Sequence, residues 1–217
     1  MREWGRFLRN TPCLSLLVVQ LGGVVLYPFV GGDQGFVGRT VFSAFGLLVL
    51  VLTIRALRAT PFFTWVSAFV FVPATGLLLV SVFIGDDRLL PWSSGFESAL
   101  YFYAAIAMLA YMLKDDDVTT DELFAIPAVF TLFAWAFAYL FVVVQAVDPG
   151  AFGEGERGWM DLLYLSFTTL SSTGLSDVGP ATGHGQSVVM LEQVVGIFYI
   201  AMVVTRLVSL RAERRRV

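Results

Sequence analysis

The chain is poor in charge, cysteine and histidine. Charged residues make up 14% of its 217 residues, against roughly 25% in a soluble globular domain. That scarcity excludes an ordinary soluble fold. A single cysteine, Cys13, excludes an internal disulfide and leaves no second thiol for a metal site. The N-terminal stretch MREWGRFLRNTPCLSLLVVQLGG has a basic part followed by an apolar part, as a secretory signal does. It lacks an A-x-A-like cleavage site before about Val30 and reads as a retained first helix. What the chain has instead is apolar surface: 57% of residues are hydrophobic and the mean hydropathy is +0.77. These values describe an integral membrane protein.

Crossing about 30 Å of hydrocarbon takes about 20 apolar residues per helix. Six stretches qualify: Pro12 to Val30, Val37 to Leu57, Pro61 to Gly85, Phe96 to Leu113, Glu122 to Val147 and Gln186 to Leu210. Between the last two lies Trp159 to Leu170, apolar but too short to span, which fits a re-entrant helix. Pro12, Pro61 and Pro91 lie at or before helix starts and Pro149 follows a helix end, where proline is tolerated. Pro73 and Pro127 fall inside helices and should bend them.

Basic residues set the orientation, because Lys and Arg are retained on the cytoplasmic side. With the N-terminus inside, that face collects Arg2, Arg6, Arg9, Arg55, Arg58, Lys114, Arg206, Arg211, Arg214, Arg215 and Arg216; the other receives Arg39, Arg88 and Arg157. Both termini are therefore expected in the cytoplasm, and the short helix enters from outside. Asp115, Asp116 and Asp117 lie inside too, which is compatible because acids weigh little in the rule.

The short helix runs into TTLSSTGLSD, Thr168 to Asp177, a polar stretch between two apolar segments. Irregular backbone at membrane depth is tolerated only where protein buries it or where it lines a watery path, since each unpaired peptide group in lipid costs several kcal/mol. Small residues returning outward after a short helix place a row of carbonyls on such a path. Carbonyl rings of that kind replace the hydration shell of a passing cation.

From Glu122 to Arg211 the chain resembles the tetrameric potassium-channel family. That family has a pore helix, a filter reading T-V-G-Y-G-D, a turn ending in proline, and an inner helix with a glycine hinge. In LYLSFTTLSSTGLSDVGP the filter positions fall on Ser172, Thr173, Gly174, Leu175 and Ser176, with Asp177 as the closing acid and Pro180 three residues beyond. Gly196, in LEQVVGIFYIAMVVTRLVSL, stands where the hinge glycine is expected. The resemblance implies a monovalent cation held by the carbonyls and hydroxyls of Ser172, Thr173 and Gly174. It also implies a pore shared by four copies of the chain. Two positions depart: Leu175 replaces the tyrosine and Ser176 the second glycine, a residue that takes positive φ freely. A serine there costs of order 1 kcal/mol unless the backbone takes another course. Potassium preference and sodium-permeable or non-selective conduction are both compatible with this filter.

Several neighbours have two readings. Asp177 is a brace for the filter or a charge at its mouth. Gly196 is a hinge or a helix-packing glycine. Glu192, taken as the one carboxylate well inside a span, either bonds the back of the pore helix, for example at the Thr168 or Thr169 hydroxyl, or acts on ions directly. His184, between Gly183 and Gly185, is expected to be solvated rather than a pH sensor. Arg206 should snorkel to the interface.

Other classes fit less well. The fourth segment, FESALYFYAAIAMLAYML, has no arginine, which argues against a fourth-helix voltage sensor. Arg55 and Arg58 read as cytoplasmic anchors. No internal repeat supports a secondary transporter. An intramembrane hydrolase would need a base for its serine, and no acid is placed by the sequence to orient His184. With the tail RAERRRV after Leu210 a cytoplasmic ligand-binding domain is not expected, and its arginines are expected to meet anionic lipid. The resulting expectation is an all-α membrane protein of six transmembrane helices plus one re-entrant pore helix. Residues 1–121 form a four-helix N-terminal domain and residues 122–217 the pore domain. It is not an enzyme, needs no cofactor beyond the conducted cation (potassium, or sodium), and has membrane lipid and three further copies of itself, but no nucleic acid, as partners. Its place is the cell membrane.

Overall fold

The computed structural model describes residues 11–29, 48–49, 52, 90–113 and 120–214, and every element among them is helical. In chain order these are α1 (Pro12–Leu26, with a 3-10 turn Tyr27–Phe29), α2 (Leu90–Met112), α3 (Thr120–Val147), α4 (Trp159–Leu170) and α5 (Gly183–Arg214). Four of them, all but α4, are long and apolar enough to cross a membrane. They correspond to the first, fourth, fifth and sixth predicted spans. The second and third, Val37 to Leu57 and Pro61 to Gly85, with Pro61 and Pro73, lie outside the described residues apart from Leu48, Val49 and Leu52.

Boundaries follow local chemistry. Pro12 opens α1, where its missing N–H has no intrahelical partner to lose. Pro91 likewise sits in the first turn of α2, so this helix begins earlier than the predicted Phe96. Pro127 lies inside α3 and cannot donate to the Leu123 carbonyl. A turn later the Thr131 hydroxyl lies 2.8 Å from the Ala128 carbonyl and 2.7 Å from Gln20 of α1, which ties the two helices near this break.

α3 is the centre of the fold: the other four helices all pack on it. Ala125, Ala128, Ala134, Ala136 and Ala138 are buried along it, and small side chains let helix backbones approach closely in lipid, where apolar burial from water gives no drive. α2 meets it along one stripe, Ser94, Ser98, Tyr101, Ala105, Met108 and Met112, spaced by three and four. Ser98 donates to the Ala136 carbonyl at 2.9 Å, and the Tyr101 and Tyr139 rings stack with centroids 5.6 Å apart.

α5 is different. As far as Val208, where burial is described, its buried residues form a single narrow seam, Gly185, Val189, Glu192, Gly196 and Tyr199. Met190, Leu191, Val194, Ile197 and Phe198 are exposed on the same helix. Only 28% of its most apolar window is buried, against 67% for α3. The seam works by close approach. A methyl placed on Gly196 would collide with the Leu170 carbonyl at the end of α4, and one on Gly185 would come within 2.6 Å of the Ala151 carbonyl. Lower down, the Tyr199 hydroxyl donates to the Ile126 carbonyl of α3. Gly196 thus has the packing role that was one of its two sequence readings, within a helix continuous from Gly183 to Arg214.

Because the atoms facing Gly196 are backbone, a larger residue cannot be accommodated by a rotamer change. Gly196→Ala should displace the end of α4 and cost about 1 to 3 kcal/mol, read as a lowered midpoint of thermal unfolding in detergent. An unchanged midpoint would contradict this contact.

Candidate functional site: the short helix and its turn

α4 has 12 residues, which at 1.5 Å per residue gives about 18 Å, little more than half the hydrocarbon thickness. The predicted re-entrant helix Trp159 to Leu170 matches it residue for residue. At its start Gly158 has no side chain with which to cap the helix, but the Asp161 carboxylate accepts from the Gly158 N–H at 3.3 Å. Trp159 is buried among rings from two other elements: Tyr27 at 5.5 Å, Trp135 at 5.4 Å and Tyr139 at 5.7 Å between centroids.

The other end is closed by the chain itself. Ser171 is the C-cap, Ser172 follows with φ of +60°, its N–H donates to Thr169 at 2.9 Å, and the Thr173 N–H donates back to Thr168 at 2.9 Å. This pair of bonds is a Schellman motif, which ordinarily places glycine at the left-handed position. Gly174 N–H adds a third bond to the Thr168 carbonyl at 3.1 Å, and the Thr173 hydroxyl lies 3.3 Å from the same oxygen. The Ser171 hydroxyl donates to Phe167 at 2.7 Å and meets the Thr173 hydroxyl at 3.0 Å. Beyond the cap, Ser172, Thr173, Gly174, Leu175 and Asp177 are exposed, and Gly174 has φ of +62°.

Two expectations change here. The left-handed strain assigned to Ser176 is carried by Ser172, the one non-glycine residue with positive φ among the described residues. Ser176 instead uses its hydroxyl to accept from the Val178 N–H at 3.1 Å, a turn that glycine has no side chain to make. Glu192 does bond the back of the short helix, but its partner there is Ser166, two and three residues before Thr168 and Thr169, whose hydroxyl also lies 2.8 Å from the Ala134 carbonyl. The Thr168 hydroxyl donates to Leu165 within α4 at 2.9 Å.

Nor is Glu192 alone within a span. Glu97 lies on α2, inside the apolar stretch Pro91–Met112. Starting the fourth span at Phe96 had put Glu97 at its edge. Tyr164, also not singled out by the sequence, reaches from α4 to the Leu175 carbonyl at 3.4 Å.

On the α3–α4 connection, Asp148 accepts from Thr182 at 2.6 Å and lies 3.1 Å from His184 Nδ1. The histidine is 84% exposed, as expected. It does have an acid beside it, contrary to the sequence reading, because the connection folds back on the start of α5. The Thr182 hydroxyl, and after it His184, hold the Asp148 carboxyl below its ordinary value of 3.8. The same connection is fixed by Arg157, whose Nε donates to Phe152 at 3.1 Å and whose backbone pairs with the Gln145 amide, and by Ala181 N–H on Ala151 at 2.8 Å. Among the described residues, no three His, Cys, Asp or Glu side chains converge as a divalent or transition metal would require. The oxygens available at residues 171–176 are hydroxyls and carbonyls, the donors suited to an alkali cation, and the Asp177 carboxylate follows them.

Residues 126–212, from the first turns of α3 to the end of α5, match the family model described as ion channel. No curated protein and no solved structure matches the chain. The match takes in α4, the capped turn and the α5 seam. With the apolar helices it marks a multi-pass membrane protein with an ion-channel-like C-terminal part.

A left-handed L-residue costs about 1 to 2 kcal/mol. Ser172→Gly should therefore raise the stability of the solubilised protein by about 1 kcal/mol, and Ser172→Val, β-branched, should lower it by at least as much. Equal unfolding midpoints for the three proteins would contradict the cap.

Proposed function

We propose that this protein is a passive channel for monovalent cations, potassium foremost, with Ser172, Thr173, Gly174, Leu175 and Ser176 as its selectivity filter. The observation that carries this reading is a helix too short to span that ends in an exposed turn of hydroxyls and carbonyls, beside a long helix whose apolar face is largely uncovered. One copy supplies one side of a coordination ring, so several copies surround the pore, and the resemblance to the tetrameric potassium-channel family makes that number four. Residues 122–217 form the pore domain, with Thr168, Thr169 and Glu192 behind the filter, Asp177 at its mouth and Gly196 as both packing contact and hinge. Residues 1–121 form the peripheral domain, without a fourth-helix voltage sensor. Both termini lie in the cytoplasm of a cell-membrane protein, and the arginines at the C-terminal end attract anionic lipid, about 1 kcal/mol each. No covalent chemistry and no cofactor are involved.

A second reading, a sodium-permeable or non-selective cation channel, is favoured by one observation. Ser176 makes a side-chain turn, and the adjacent Leu175 carbonyl meets Tyr164 within its own chain. In T-V-G-Y-G-D, to which the stretch is similar, the corresponding residues are a tyrosine and a glycine, and glycine has no hydroxyl for such a turn.

Recording from the purified protein in a planar bilayer with potassium on one side and sodium on the other separates the two. A reversal potential far to the potassium side is expected. A reversal near zero would select the second reading, and absence of any current that Gly174→Asp removes would overturn both.

A further inference from the structure

Ser166 is fully buried and brings one hydroxyl to two acceptors. Its Oγ lies 2.8 Å from the Ala134 carbonyl oxygen of α3 and within hydrogen-bond reach of Glu192 Oε1 on α5. A hydroxyl has a single proton to give. If Ser166 gives it to Glu192, the lone pairs of Oγ and of the Ala134 carbonyl face each other at contact distance with nothing between them. If Ser166 gives it to Ala134, the contact with Glu192 needs a proton from the acid, which a carboxylate does not have.

The second carboxyl oxygen points the same way. Glu192 has no exposed surface, and its Oε2 has no hydrogen-bond partner among the described residues. An ionised carboxylate with one donor and one bare oxygen, within a membrane span, is the arrangement that burial penalises most. The carbonyl oxygen of a neutral acid loses far less. Ser166 is also the one polar side chain that Glu192 meets among the described residues, so no cation there balances a charge.

We propose that Glu192 is a neutral carboxylic acid that donates to Ser166, which donates in turn to the Ala134 carbonyl, and that this relay couples movement of α5 to the filter. Ser166 and Leu170 stand one turn apart on α4, as do Glu192 and Gly196 on α5. The relay and the glycine contact therefore fix the same two helix faces in register, and Leu170 leads directly into the Ser171 cap. Glu192 is a positioning residue: it touches no ion, and it acts through Ser166. The coupling rests on the channel reading above, whereas the protonation state does not.

Two measurements on the full-length protein test the proposal. In the infrared difference spectrum between wild type and Glu192→Gln at neutral pH, a protonated-carboxyl stretch that shifts in heavy water should disappear. Loss of a carboxylate band instead would overturn the neutral acid whether or not the protein conducts. In bilayers, Glu192→Ala and Ser166→Ala should each lower open probability at least tenfold with the reversal potential unmoved, and the double variant should be no worse than either. Glu192→Gln, which keeps a donor for Ser166, should retain at least half of the wild-type open probability. Damage by Gln equal to that by Ala, or additive losses in the double variant, would overturn the relay. A neutral acid found in a protein that passes no current would sink the channel reading alone.

Discussion

Everything proposed for this chain depends on how a 12-residue helix is held still at membrane depth. α4 is too short to reach both interfaces. Its N-terminal residue, Trp159, is enclosed by Tyr27, Trp135 and Tyr139, and its last residue, Leu170, rests its backbone on Gly196. Between them Ser166 joins α4 to α3 and α5 at one point. The aromatic contacts are broad and tolerant. The glycine contact is not, because it is backbone against backbone.

From that fixed helix the rest follows in order. The last carbonyls of α4 have no partner within the helix, and the Ser172–Thr173–Gly174 turn satisfies them with its own N–H groups. Satisfying them bends the chain sharply, and the bend directs Thr173, Gly174 and Leu175 away from the bundle. Ser172 accepts an uncomfortable backbone angle to do this. The polar stretch is thus both a helix cap and a line of exposed oxygens, and the geometry of the second is set by the first.

Much of this was legible in the sequence, because it is written in length and hydropathy. A 12-residue apolar run followed by small hydroxyls identifies α4 and its turn, and proline positions mark the starts of α1 and α2. The partner of Glu192 was not legible. Thr168, Thr169 and Ser166 are all hydroxyls on one short helix, and choosing among them takes the register between α4 and α5, which Gly196 fixes through space. The acid beside His184 was hidden for a similar reason: Asp148 is 36 residues away and arrives there because the connection packs on Gly185. Glu97 was missed through a boundary, since a helix carrying proline in its first turn begins earlier than its apolar run. Ser176 was misread because the filter letters fix a residue type but not which residue turns left-handed. The local cap decided that in favour of Ser172.

The central claim is that the oxygens of residues 172–176 line the ion path. Its most direct test is a Thr173→Cys protein in which Cys13 is replaced by Ser, recorded while a charged thiol reagent is applied from the side where α4 enters. The account predicts that current falls as the cysteine is modified, and that raising the concentration of permeant cation slows the modification. A cysteine fully modified, as read by mass, with the current unaltered would contradict it.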